Sequence, residues 1–221
     1  MALPQNQCET TEVQIYPPQP LIAVPQVPAA LLGHQVGIFP AYITIRTETL
    51  IVREKLGSFN GDEFEVQHVN GLPILKVEGK VMSISGRKMV YDMRCNHLFS
   101  IVRKHLHFRT RYVVEDPQGR EIMNVRSSFR LLSSKATATF NSLDGSAEVL
   151  EMKGSWRDYS ACIVDTISDN VVGRISRTIS SRDLLFGQQT YALEVKPGVD
   201  MALMVAICIC FDERNNENRA G

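Results

Sequence analysis

The sequence predicts an all-β fold with one buried helix: a closed antiparallel barrel of about twelve strands around a hydrophobic C-terminal helix. Three observations carry this. About a dozen strand candidates lie between residues 49 and 196, a number at which sheets close or split. Strand–turn–strand units recur with Asp, Asn, Gly and Pro in the turns. The chain then ends in a run, Met201-Ala-Leu-Met-Val-Ala-Ile-Cys-Ile-Cys-Phe, that is apolar on every side. A helix of that kind must be surrounded by protein, and closure removes the exposed edges of so many strands.

Along the chain, six of the ten prolines fall in the first 28 residues: Pro4, Pro17, Pro18, Pro20, Pro25 and Pro28. Such a segment holds no helix and cannot sit inside a sheet. Residues 1–35 read as an extended, polyproline-II-like arm, so the arm is placed at residues 1–40 and the barrel domain at 41–221. Strand signals start with the β-branched and aliphatic Thr49-Leu-Ile-Val-Arg and the period-two Phe64-Glu-Val-Gln-His-Val. Four hairpins follow from one design. They are His68-Val-Asn-Gly-Leu-Pro-Ile-Leu-Lys-Val, Tyr91-Asp-Met-Arg-Cys-Asn-His-Leu-Phe-Ser-Ile-Val, Glu115-Asp-Pro-Gln-Gly-Arg-Glu-Ile-Met-Asn-Val and Val164-Asp-Thr-Ile-Ser-Asp-Asn-Val-Val-Gly-Arg-Ile. Pro197-Gly198 stops the last strand and Asp200 is a good helix N-cap. A final buried strand is the alternative, but the Asp cap and the Met-Ala-Leu-Met start favour a helix over about residues 200–212. Asp212-Glu-Arg-Asn-Asn then marks the return to solvent.

Composition narrows the function classes. The 221 residues are 44% hydrophobic and 22% charged, with 24 cations against 24 anions. That is a globular balance without the net charge of a global nucleic-acid binder. The five cysteines are irregularly spaced, form no C-x-x-C and have no zinc-finger partner histidines. Buried reduced thiols suit the cytosol or nucleus. No secretory leader and no membrane-spanning run is read in the chain, the longest apolar run being 11 residues. The expected location is the cytoplasm, with the membrane periphery or the nucleus as the other compartments. Templates for serine hydrolases, zinc proteases, P-loops and dinucleotide folds are absent, so no catalytic residue, metal or cofactor is assigned. His105 and His107 could form half a metal site on one strand face, but no acid or Cys lies near them in sequence. Trp156, the only tryptophan, fits a core or barrel-wall anchor better than a ligand stack.

Charge is unevenly laid out. Residues 1–68 hold three cations and seven acids, whereas residues 93–143 hold nine cations and three acids. Between Met93 and Val114 there are five cations and no acid. Phe99 and Ile101 put odd positions inward, while Phe108, Tyr112 and Val114 put even positions inward. A turn or bulge within Lys104–His107 is therefore expected. The resulting basic hairpin makes Arg94, Arg103, Lys104, His105, His107, Arg109 and Arg111 a candidate anion site for an anionic membrane or a phosphoinositide headgroup. The competing reading is a solvated hairpin paired with carboxylates elsewhere. Nucleic acid is disfavoured because few stacking aromatics interleave with the cations.

These features together resemble the LURP-one-related family, within the tubby C-terminal-like superfamily that also includes the phospholipid scramblases. The carrying segments are Leu50-Ile-Val-Arg-Glu-Lys with Asp62-Glu-Phe-Glu-Val, then Gly71-Leu-Pro-Ile-Leu-Lys-Val, Leu98-Phe-Ser-Ile-Val-Arg-Lys and Gly154-Ser-Trp-Arg-Asp-Tyr-Ser. The most specific is Val195-Lys-Pro-Gly-Val-Asp-Met-Ala-Leu-Met-Val-Ala-Ile-Cys-Ile. Met201 stands where the family often has Pro. The likeness covers about residues 45–214. It implies a twelve-stranded barrel around a C-terminal helix and says little of function, since phosphoinositide-tethered tubby domains and scramblases differ in role. The expected function is a non-enzymatic interaction domain docking on anionic phospholipid. A protein-binding adaptor using the Pro-rich arm or barrel loops is the alternative, and an enzyme of unknown class comes third.

Overall fold

A computed structural model describes residues 34–55, 63–79, 86–106, 109–130, 133–155, 160–177 and 190–220. Twelve strands follow one another: β1 (Glu48–Lys55), β2 (Glu63–His68), β3 (Pro73–Gly79), β4 (Lys88–Asp92), β5 (His97–Leu106), β6 (Arg109–Glu115), β7 (Glu121–Arg130), β8 (Ser133–Asn141), β9 (Ala147–Ser155), β10 (Ser160–Asp165), β11 (Val171–Arg177) and β12 (Thr190–Val195). Each pairs antiparallel with its neighbours in sequence, and β1 closes on β12 from Glu48↔Val195 to Arg53↔Thr190. The predicted closed barrel of twelve antiparallel strands is what forms.

Alternation along each strand sends one set of side chains inward. Leu50 and Val52, Phe64 and Val66, Leu75 and Val77, Phe99 and Ile101, Tyr112 and Val114, and Leu193 and Val195 all enter one buried core. The axis of that core is α1 (Met201–Ala220). Every residue from Ala202 to Asp212 is buried, so the helix occupies the barrel interior and needs no polar face there. Gly173 marks a close approach of wall and helix: a Cβ at that position would lie 2.4 Å from Met204 Cε. The helix runs past the predicted end near residue 212. Asp212 stays inside because the Tyr191 hydroxyl donates to its Oδ1, and Lys88 Nζ lies 2.9 Å from Glu213 Oε1. No helix among the described residues is long and apolar enough to cross a membrane.

The barrel has two unlike ends. At one, here the cap end, five short turns and the start of α1 come together. Four turns share a plan: the fourth residue (Gly71, Cys95, Gly119 or Gly145) takes positive φ, and its N–H donates to the first residue's carbonyl. This is the three-residue hairpin loop that needs a left-handed position. Aspartates reinforce it: Asp92 Oδ1 accepts from the N–H groups of Arg94 and Asn96, and Asp116 Oδ1 from those of Gln118 and Arg120. The four hairpins read from the sequence turn here, together with Ser142-Leu-Asp-Gly-Ser146, which was not among them. The remaining strand connections, at the opposite or exit end, lie outside the described residues apart from Gly86 and Arg87 just before β4, as does Trp156.

A strap, residues 34–44, crosses the cap end. Val36 forms a parallel bridge with Val199, and Ile43 an antiparallel one with Asp200. Phe39 stacks on Phe99 with ring centroids 5.2 Å apart. Ordered structure thus reaches back ahead of Ala41, where the sequence suggested that the folded domain starts. Asp200 joins strap to helix. Its Oδ1 accepts the Leu203 N–H at 3.1 Å as the helix N-cap, and its Oδ2 accepts the N–H groups of Ile38 and Phe39 at 3.0 and 2.7 Å. Burial pushes the Asp200 carboxyl up to about 6, although these amides and that of Ala202 pull the other way.

Candidate anion-docking face

Because α1 fills the lumen, the candidate surface is on the outside of the barrel. The basic segment forms the β5–β6 hairpin, whose register runs from Ser100↔Glu115 to Leu106↔Arg109. The connection is therefore at residues 107–108, at the far edge of the predicted window. On the inner face Arg103 pairs with Tyr112, next to Ile101 with Val114. On the outer face Lys104 pairs with Arg111, Val102 with Val113 and Ser100 with Glu115.

Outward Val102 and Val113 are nonetheless buried. Burial on an outer wall needs a cover, and the aliphatic stems of flanking Lys and Arg side chains suit that task. Around them lies a charged lattice. Glu115 sits 2.9 Å from both Arg87 Nη2 and Lys104 Nζ. Glu121 lies 3.8 Å from Lys104 Nζ and 3.5 Å from Arg111 Nη1. Asn124 Nδ2 donates to Glu121 at 2.7 Å and its Oδ1 accepts from Arg126 Nε at 3.2 Å. Burial works to raise the Glu115 carboxyl, but the hydrogen bonds and charges of Lys104 and Arg87 outweigh it and hold it below its ordinary value. Three cations (Arg87, Lys104 and Arg111) thus share two carboxylates on one wall, and a fourth, Arg126, is held by Asn124.

The predicted site residues do not all meet. Lys104 and Arg111 are cross-strand neighbours on the outer wall. Arg103 faces inward and is half-buried. Arg94 lies in the β4–β5 turn at the cap end, a full strand length from Lys104. His105 and Arg109 fall within β5 and β6, but their side chains are outside the description, and His107 lies outside the described residues altogether. Arg87, Arg126, Glu115, Glu121 and Asn124 were missed as parts of this surface. The hairpin register would have aligned Glu115 with Ser100 had the turn been set at residues 107–108. Arg87 comes from just before β4 and Arg126 from β7, and neither carries a local signal. No cluster of three or more metal-ligating side chains exists among the described residues.

The model of the LURP-one-related family matches residues 48–212. The chain belongs to that family. The match opens on the first residue of β1 and closes on Asp212, the last helical residue fully enclosed by the barrel. Family membership therefore spans the barrel and its filled axis, and leaves the strap outside. Two curated relatives are Protein LURP-one-related 10 and Protein LURP-one-related 12 of Arabidopsis thaliana. The first is 23% identical over 76% of this chain and 90% of its own length, the second 24% identical over 85% and 87%. An X-ray structure of another Arabidopsis thaliana protein is similar with a TM-score of 0.53 and 17% identity, covering 82% of this chain and 99% of that one. That likeness is one of fold. In LURP-one-related terms, the closing Val195-Lys-Pro-Gly-Val-Asp motif has a physical role here. Gly198 takes positive φ, the Lys196 carbonyl accepts the Thr44 hydroxyl at 2.8 Å, and Asp200 caps the helix while holding the strap.

Proposed function

We propose that this LURP-one-related chain is a non-enzymatic interaction domain that docks on anionic phospholipid through the outer wall of β5–β7. One observation supports the reading above others: Arg87, Lys104 and Arg111 share two carboxylates on that wall and Arg126 stands beside them on Asn124, so the named cations outnumber the named carboxylates by two where phosphate oxygens could approach. Arg and Lys donors of this kind suit phosphoryl groups, and each cation near an anionic surface contributes about 1 kcal/mol. The filled lumen favours surface docking over an enclosed substrate. Buried thiols at Cys208 and Cys210, pushed well above their ordinary range by burial, suit a reducing compartment and the cytoplasmic side of a membrane.

Vesicle co-sedimentation tests this. Binding to phosphatidylserine or phosphoinositide vesicles should exceed binding to phosphatidylcholine vesicles and should fade with salt. R111Q with R126Q should weaken binding roughly thirtyfold, as expected from about 2 kcal/mol, without loss of fold. R46Q is the control, since Arg46 is exposed and paired with Glu48 at the cap end. A parent protein that ignores anionic vesicles at low salt would end this reading, as would a double variant that binds like the parent.

A further inference from the structure

The strap meets the barrel along two seams. One is with the β12–α1 junction. There the Val36 N–H donates to the Gly198 carbonyl, the Asp200 N–H donates to the Val36 carbonyl, and the Ile38 and Phe39 amides reach Asp200 Oδ2. The other is with the β8–β9 turn. There the Gly37 N–H donates to Ser142 Oγ at 3.1 Å, and the Leu143 N–H donates to the Gly37 carbonyl at 3.0 Å. His34 closes this second seam, with Nε2 2.5 Å from Glu148 Oε1 and Nδ1 3.3 Å from Asp144 Oδ2.

Glu148 depends on that contact. Its register partner is Phe140, so it stands on the inner face of the wall, and its side chain is fully enclosed. Oε1 also accepts from the Ser146 hydroxyl at 2.9 Å, whereas Oε2 has no hydrogen-bond partner. A buried carboxylate satisfied at one oxygen relies on a counter-charge, and His34 is its ion-pair partner. The other acids of the cap end are engaged elsewhere. Asp165 accepts the Ile167 and Ser168 N–H groups and the Ser168 hydroxyl, and Asp200 accepts the strap and helix amides. Asp144, half in solvent, accepts from the Ser146 N–H and hydroxyl besides facing the ring. An imidazolium donates from both nitrogens toward Glu148 and Asp144, while a neutral ring donates from one.

We infer that the strap is a proton-operated clasp: with His34 charged it is shut against the β8–β9 turn, and with His34 neutral that seam parts while the seam with the β12–α1 junction holds. The enclosed Glu148 carboxylate then needs water in place of its lost counter-charge, and separation of strap from turn admits it. The junction seam is made by backbone amides, which do not titrate, on oxygens that still accept when Asp200 is ionised. Burial acts to lower the His34 pKa, but Glu148 and Asp144 more than offset it. The clasp is therefore shut below the ordinary histidine range and opens as pH rises through the raised value. It is independent of the anion-docking wall.

Amide exchange on the full chain tests this. Between pH ~5.5 and ~8.5, protection of the Gly37 and Leu143 amides should fall about tenfold or more once the ordinary base catalysis of exchange is divided out. Protection at Val36, Ile38 and Phe39 should hold. The carbon-bound ring protons of His34 should titrate with the same midpoint. H34Q, whose amide donor does not titrate, should abolish the step. D144N, a change at a half-exposed turn position that leaves the core untouched, should move the midpoint to lower pH. A parent without the step overturns the inference, as does a step that persists in H34Q. So does loss of protection at Ile38 and Phe39 together with Gly37, which would mean that the whole strap lifts. A Glu148 carboxyl carbon that reports protonation while the Gly37 and Leu143 amides stay protected overturns it as well.

Discussion

At the scale of single residues, two titratable groups hold the strap, and both have raised folded pKa values. Burial acts to lower the His34 pKa, but Glu148 and Asp144, with which both ring nitrogens pair, more than offset it. An imidazolium satisfies that arrangement, whereas a neutral ring turns a lone pair toward a carboxylate. The stability that His34 contributes is therefore fully present below pH ~6.5 and is lost as pH rises through the raised folded value. Thermal melts across pH should show H34Q less stable than the parent in mild acid, with the gap narrowing in alkali. A gap independent of pH would remove the charge from the explanation. Asp200 also has a raised value, which is unusual for a carboxylate. Its favourable contribution is complete below the ordinary Asp range and is lost as pH rises through about 6. D200N keeps one acceptor oxygen and loses the other, so strap amides or the helix cap go unmet, at roughly 2–4 kcal/mol. The difference between parent and D200N should shrink as pH rises toward about 6 and level off above it, measured by denaturant unfolding at several pH values.

At the scale of elements, strap and helix behave as one unit. A Cβ at Gly37 would lie 2.4 Å from Asp200 Cβ and 2.8 Å from Ile43 Cδ1. G37A should therefore displace the strap and lower stability by about 1–3 kcal/mol, with amide exchange speeding up first over residues 36–44. Unchanged exchange there would show that the strap is not seated by this contact. Turn chemistry explains which elements were legible in the sequence. The four hairpins legible in the sequence turn at the cap end, where Gly71, Gly119 and Asp169 take positive φ and Asn70, Asp92, Asp116 and Asp165 bind their own turns. Helix α1 was readable from Asp200 and its apolar run. Its continuation beyond Asp212 was not, because the partners that keep Asp212 and Glu213 satisfied, Tyr191 and Lys88, lie far away in sequence. The candidate wall was half legible for the same reason. The cation-rich stretch stands out, yet its match to Glu115, Glu121 and Arg87 depends on register across β4–β7, and Arg103 left the surface once the turn moved to residues 107–108.

At the scale of the whole molecule, the barrel and its axis are a single cooperative object. Eleven consecutive helical residues from Ala202 to Asp212 supply the filling that Leu50, Phe64, Phe99 and Leu193 pack around. Single large-to-small changes in such cores cost about 2–5 kcal/mol, and a domain has only about 5–15 kcal/mol to lose. A fragment ending at residue 199 should accordingly fail to give a soluble, cooperatively melting protein. A folded 1–199 fragment would show that the wall stands without its axis.

The seam between β1 and β12 has a consequence in time. Those strands stand at opposite ends of the barrel sequence, and α1 follows both. The wall cannot shut before the last strand is made, and it cannot shut usefully until the segment that will occupy its centre has been synthesised. A ribosome therefore holds a nearly complete sheet with two open edges, the state in which β chains stick to one another. Pairing the most distant strands is also the slowest kind of closure. Folding of this chain is thus a late event that waits on its final helix, so the cell's need to shield the nascent chain is set by the order of elements rather than by the stability they reach.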